Sequence, residues 1–239
     1  MVYDVVISHE QTDYIPKFNL GNPTTFVLDA PRDSDISACN LNGFNVVKMP
    51  VVGNRSANRN AGLKYVVEHY DLNDDDIIEF FDGDRVPKVY NRDAVCKAMQ
   101  NYTIDCMLYL CENDKRNIKP IVRANGVTIV DTGTLCNPFY SCGFAMKYGA
   151  VKRICKNDDC KLFEESFNTW GCEDQFLGVM CDVNNVKVAL TNLVRLSGNV
   201  GGDELSHNNY RDSLQQYVNL IMSKHIPIKD NARPVEIIL

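Results

Sequence analysis

The stretch Ile77-Ile78-Glu79-Phe80-Phe81-Asp82-Gly83-Asp84-Arg85-Val86-Pro87 decides how the rest of the chain is read. Ile77 to Phe81 is short and apolar and follows the acidic run Asp71 to Asp76, which predicts a buried strand after a solvated turn. The strand ends in two carboxylates separated by one glycine. On an open α/β sheet, ligands gather at the carboxyl ends of strands, where this pair would emerge. Carboxylates this close repel unless something positive lies between them, and a hard divalent cation supplies that charge, with a diphosphate as its natural guest. A bare Asp-x-Asp is also an ordinary acidic turn, so its surroundings must decide.

Upstream, Val2 to Ser8, Thr25 to Asp29 and Asn45 to Met49 read as strands, the first followed by a polar loop. Leu63, Val66, Val67 and Tyr70 recur at helical spacing, with Asn58, Arg59 and Asn60 at the start of that helix. Downstream, Asn91 caps a helix carrying Ala94, Val95, Ala98 and Met99, and Cys106 to Cys111 and Val127 to Asp131 read as strands. Loops and short elements fill Thr132 to Trp170. Further helices begin near Glu173 and near Asn208, on either side of the Gly-rich stretch Ser197 to Glu204. The alternation predicts an α/β domain with helices covering a mixed, mostly parallel sheet.

Length and composition agree. At 239 residues, with 45% hydrophobic and 23% charged side chains, the chain suits one sizeable core. Thirty-one acidic residues against twenty-five Lys and Arg give a net charge of −6, with no basic run, which argues against a nucleic-acid partner. No apolar run is long enough to cross a bilayer, and Met1 to His9 has no leader pattern, so the expectation is a soluble, cytoplasmic protein. The ten cysteines lack CxxC spacing and the four histidines are dispersed; both read as ordinary thiols and imidazoles rather than a zinc site.

A second cluster is Trp170-Gly171-Cys172-Glu173-Asp174, where the single tryptophan precedes adjacent acids at a predicted helix start. The helix dipole favours acids there. An indole also offers sugar C–H groups a flat face, and a nearby carboxylate can take a hydroxyl proton as general base.

Together, in this order, these segments resemble the GT-A glycosyltransferases, and the resemblance covers most of the chain. Asn58-Arg59-Asn60-Ala61-Gly62 is similar to the RNxG-type helix start that precedes the metal strand in that family. Phe80 to Pro87 resembles the DxD element, Ser141 to Lys147 the small-residue strand behind the acceptor site, and Glu164 to Asp174 the loop into WGxED. The resemblance implies a single Rossmann-like domain over 1–239, with a nucleotide-binding half over about 1–112 and an acceptor half over about 113–239.

It further implies that Asp82 and Asp84 hold Mn²⁺ or Mg²⁺ against the diphosphate of a nucleotide sugar, with His207 completing the metal shell. Ser8, His9, Asp29, Arg59, Asn60 and Gly83 would lie on the donor side. Trp170 and Glu173 would meet a glycan or glycoprotein acceptor, and Asp174 would deprotonate the attacking hydroxyl, inverting the anomeric centre. The implied donor is a UDP-sugar, with UDP-glucose favoured, and the likeness is to small soluble bacterial or virus-encoded members. Gly198, Gly201 and Gly202 would let the segment before His207 close over the donor. Arg55, Arg59, Arg85 and Lys64 are cations within reach of phosphates in the sequence pattern.

Two rival readings share the acidic strand. Haloacid-dehalogenase-like phosphatases also place Asp-x-Asp after an apolar strand, using one Asp as nucleophile with magnesium, and Val86 fits their pattern. Those enzymes carry the motif near the chain start, unlike this one. The other rival is a nucleotide-sugar-binding module without activity.

Overall fold

The computed structural model describes residues 1–50, 54–111, 120–124, 127–132, 142–156, 160–167, 172–197, 204–226 and 233–238. Its strands are β1 (Val2–Ser8), β2 (Thr24–Asp29), β3 (Asn45–Met49), β4 (Ile77–Asp82), β5 (Pro87–Tyr90), β6 (Cys106–Cys111), β7 (Pro120–Ala124), β8 (Val127–Thr132), β9 (Gly143–Lys147), β10 (Val188–Leu196) and β11 (Arg233–Ile238). The helices are α1 (Asp33–Leu41), α2 (Arg55–His69), α3 (Arg92–Asn101), α4 (Tyr148–Cys155), α5 (Glu173–Val183) and α6 (Glu204–Ser223). A 3-10 helix, Thr12–Phe18, occupies the segment expected to be a polar loop, because Ile15 and Phe18 insert into the core. The last long helix starts at Glu204, ahead of the expected Asn208.

All described strands join one mixed sheet in the order β3-β2-β1-β4-β9-β6-β10-β11-β8-β7, with β5 pairing β10. From β3 to β4 the pairings are parallel. Antiparallel β9 is wedged between β4 and β6. Because β2 lies on one side of β1 and β4 on the other, the chain leaves β1 and β4 in opposite directions and opens a crevice at their carboxyl ends.

Helices cover both faces, which is why β1, β2 and β4 are apolar runs rather than alternating strands. On one face, Leu63 and Val66 of α2, Val151 and Ile154 of α4, and Leu177 of α5 pack with Val5, Ile7, Phe80 and Phe144. On the other, Ile15, Phe18, Cys39 of α1 and Val95 and Met99 of α3 pack with Val6, Phe26, Phe81 and Tyr109. A smaller cluster of Phe167, Phe176, Tyr217 and Ile221 fastens α6 to α5. None of the described cysteines forms a disulfide. Among the described residues, no helix is long and apolar enough to cross a membrane.

Strand alternation assigns the acids of β4. Phe80 faces α2 and Phe81 faces α3, so Asp82 shares the α2 face and Glu79 the α3 face. The close approach of α2 to the sheet depends on Gly62. A Cβ there would lie 2.4 Å from Val5 Cγ1 and 2.8 Å from Val27 Cγ2, both on stiff, buried side chains. Gly62→Ala is expected to lower stability by about 1–3 kcal/mol in urea denaturation, and Gly62→Val to prevent folding. A neutral Gly62→Ala would show that α2 has room to move outward.

Candidate active site

The helix α2 is started by Asn54, whose side chain accepts a hydrogen bond from Ala57 N at 2.9 Å. This aims the first turn of α2, with Arg55 and Asn58, toward the crevice at the ends of β1 and β4. There Ile7, Ser8, His9, Gln11, Asp29, Arg55, Asn58, Asp82, Gly83 and Asp84 line one cleft of about 90 Å³. That volume is smaller than the roughly 300 Å³ a complete small-molecule pocket needs, so these residues form one subsite of a larger surface.

Gly83 is required by close packing. Its N–H donates to Ile7 O at 2.7 Å, and a Cβ would come within 2.8 Å of that same oxygen and 2.9 Å of Ser8 Cβ. The tight turn, closed by Arg85 N to Asp82 O at 2.8 Å, presents Asp82 and Asp84 on either side of the glycine. Ser8 Oγ donates to Gln11 Oε1 at 3.2 Å. His9 Nδ1 lies 3.0 Å from Asp29 O, and since a carbonyl only accepts, Nδ1 carries the hydrogen.

The centre of the site is Arg59, 1% exposed and reaching between two parts of the chain. Its Nη2 donates to Asp82 Oδ1 at 2.8 Å. Its Nη1 lies 3.7 Å from both Glu173 Oε1 and Asp174 Oδ1, without a hydrogen bond. Burial alone would weaken the proton affinity of the guanidinium, but Asp82, Asp174 and Glu173 together raise it, so Arg59 stays charged. The guanidinium also packs over Phe163, 5.2 Å from the ring centre. Arg55 Nη1 stands 4.0 Å from Asp82.

Asp84 is in a different position. Burial and then the charge of Asp82 raise its pKa, opposed by Arg85 and Arg55. The donor set suits a divalent cation of the magnesium or manganese type. Such ions take one or two carboxylates and complete their shells with water and phosphate, and among the described residues no third acid, His or Cys groups with the pair.

The structure thus brings together Ser8, His9, Asp29, Asp82, Gly83 and Asp84 in one cleft and links Asp82 through Arg59 to Glu173 and Asp174. Asn60, expected on the donor side, is engaged elsewhere. Its amide donates to Phe163 O at 2.8 Å and Glu165 Oε1 at 2.9 Å and accepts from Phe163 N at 2.9 Å, tying α2 to the segment that leads to α5. Its place one turn inside α2, facing that segment, explains the difference. Asn54 adds a bond to Glu165 O at 2.8 Å. Trp170, Ser141, Gly198, Gly201 and Gly202 lie outside the described residues, and His207 falls on α6 with its side chain outside them.

Of the four cations, Arg55 lines the cleft, Arg85 Nε lies 3.7 Å from Asp84, and Lys64 pairs with Glu68 on the exposed side of α2. Asn58 and Gln11, both lining the cleft, were not foreseen. The polarity of Asn58 at a buried position of α2 is the signal that marks it.

The sequence matches no protein-family model and no curated protein. The fold does have solved counterparts. TarS of S. aureus superposes with a TM-score of 0.62 over 95% of this chain at 12% identity, and this chain spans 40% of its length. A shorter form of TarS, residues 1–349 with UDP-GlcNAc, gives 0.60 over 96% of this chain and 68% of its own, at 14% identity. Glucosyl-3-phosphoglycerate synthase from Mycobacterium tuberculosis, solved with Mn²⁺, UDP and phosphoglyceric acid, gives 0.57 over 98% of this chain and 87% of its own, at 12% identity. The fold is the GT-A fold. At such low identity the likeness extends to the backbone, and the chemistry has to be argued from the side chains.

Replacing Arg59 leaves three acids facing one another in a buried place. Arg59→Leu is expected to cost about 3–5 kcal/mol in denaturant unfolding. Adding Asp82→Asn to that variant is expected to recover part of the loss, a coupling of about 1–3 kcal/mol. Additive losses would mean that the two side chains do not interact.

Proposed function

We propose that the chain is a metal-dependent glycosyltransferase that moves a sugar from a nucleotide sugar to a hydroxyl of a carbohydrate or glycoprotein acceptor. The observation that carries this reading is the joining of two acidic clusters by one guanidinium. Asp82 ends β4 and Asp84 follows in the turn, Glu173 and Asp174 begin α5, and Arg59 links Asp82 to the second pair. A phosphatase needs the first cluster only; transfer between two substrates needs both.

On this reading, Asp82 and Asp84 hold a divalent cation, with His207 as a further ligand. When bound, that cation would stabilise the negative charge that develops on the departing diphosphate. Arg55 and the N-terminal turn of α2 face the same phosphates, where helix N–H groups and positive charge favour an anion. Ser8, His9 and Asp29 take the nucleoside, at the ends of β1 and β2. A UDP-sugar is the favoured donor, glucose the favoured sugar; the UDP and UDP-GlcNAc complexes of the two fold relatives support that class.

Asp174 takes the acceptor proton as general base, while Glu173 and Trp170 orient the acceptor. With base and leaving group on opposite sides of the sugar, the displacement inverts the anomeric configuration. The contact of Arg59 with both acids fixes the distance between the base and the phosphate site.

Asp84→Asn is expected to weaken metal-dependent UDP binding in calorimetric titration. Asp174→Asn is expected to leave that binding intact and lower turnover about 10²–10⁴-fold. A thermal-shift panel of nucleotide sugars, with and without manganese, finds the donor, since a specific ligand stabilises the folded state by mass action. Full turnover by the Asp174 variant would remove it from the base role. Phosphate release from a generic aryl phosphate, without any response to nucleotide sugars, would favour the phosphatase reading instead.

A further inference from the structure

One pair of acids has no part in that chemistry. Asp4 of β1 and Glu79 of β4 are paired in register across the sheet, 0% and 1% exposed, on the face opposite Arg59. As neighbours in register they stand side by side on one face of the sheet, and among the described residues no cation forms an ion pair with either. Two ionised carboxylates buried side by side would repel with no water to screen them, so one of the two keeps its proton.

The neighbours decide which. Glu79 accepts hydrogen bonds from both Tyr90 and Tyr109 hydroxyls, and Arg92 of α3 favours its ionised form. Asp4 accepts from Asn22 Nδ2 at 3.0 Å and Thr24 Oγ1 at 3.2 Å. Asn22 Nδ2 also donates to the Tyr90 hydroxyl at 2.7 Å, so that oxygen accepts from Asn22 and passes its own hydrogen to Glu79. Cys96 of α3 is the other titratable group facing the pair, and β9 presents only Ala145.

We infer that Asp4 and Glu79 hold one proton between them at neutral pH, Asp4 as the acid and Glu79 as the ionised acceptor, and that this proton joins β1 to β4 beneath the candidate site. The consequence is positional. The same two strands end in Ser8 and Asp82, which both line the cleft, so the proton helps fix the strand pair that carries them. A route for exchange exists, since Asn22, bonded directly to Asp4, lines a cavity of about 550 Å³ with Val2, Arg92, Cys96 and Lys147. That cavity is at the end of the sheet away from Asp82. The inference does not depend on the transferase reading.

The sign of the pH dependence follows from proton counting. In the unfolded chain both acids ionise above about pH 4. The folded chain keeps a proton there, so its stability falls as pH rises until the pair itself titrates. The acids held ionised by partners, Asp35 and Asp76, act in the opposite sense and only at lower pH.

Infrared difference spectroscopy of the intact chain near neutral pH, combined with urea unfolding across pH, tests this. The expected result is a protonated-carboxyl stretch that Asp4→Asn abolishes. The folding equilibrium constant should fall with pH more steeply in the wild type than in Asp4→Asn, by up to about tenfold per pH unit. Glu79→Gln offers Asp4 a neutral donor and should also lose the band; it decides the matter if Asp4→Asn does not fold. Absence of the band in the wild type, its survival in both variants, or parallel pH profiles would overturn the inference.

Discussion

The arrangement of the site depends on a buried guanidinium among three carboxylates. Arg59 is buried on α2, and burying its charge would be costly without Asp82, Glu173 and Asp174 around it. The dependence is mutual. The acids come from β4 and α5, far apart in sequence, and would repel without the charge between them. Gly62 makes the geometry possible, because α2 reaches Asp82 only by lying close to β1 and β2.

The same helix also locates the approach to α5. Asn60 satisfies both backbone groups of Phe163, doing for that segment what a neighbouring strand would do, and Asn54 adds Glu165. The first turns of α2 therefore reach the end of β4 through Arg55 and Arg59 and the segment leading to α5 through Asn54 and Asn60. The polarity of Asn58-Arg59-Asn60, at a helix start, is a record of these two tasks.

Much of this was legible in the sequence where local pattern and burial coincide. The apolar run into Asp82, the helical spacing of Leu63 and Val66, and the Asn91 cap each appear in the structure, with Asn91 Oδ1 accepting from Ala94 N at 3.1 Å. The long strand β10 was not foreseen, because a register shift between Thr191 and Arg195 breaks the alternation that would have marked it. Helix α1 escaped notice for a related reason: only Asp35 and Cys39 are buried, so it has hardly any apolar stripe. Among the candidate site residues, the cleft acids were recognisable from spacing, whereas the burial of Arg59 and the engagement of Asn60 with Phe163 depend on contacts that no local pattern encodes.

Strand β4 carries two acids and the turn after it a third, and the fold compensates each in its own way. Glu79 faces the α3 layer and is matched by tyrosine hydroxyls and a neighbouring acid that keeps its hydrogen, with Arg92 of α3 further off. Asp82 faces α2 and is matched by Arg59, with Arg55 further off. Asp84 lies beyond the strand, 44% exposed, with Arg85 no nearer than 3.7 Å and with Asp82 and burial both acting against its ionisation. Its charge is the least compensated of the three and the one open to solvent. On the proposed reading, a cation arriving with a diphosphate would meet there the electrostatic need that the protein itself leaves unmet at the end of a buried strand.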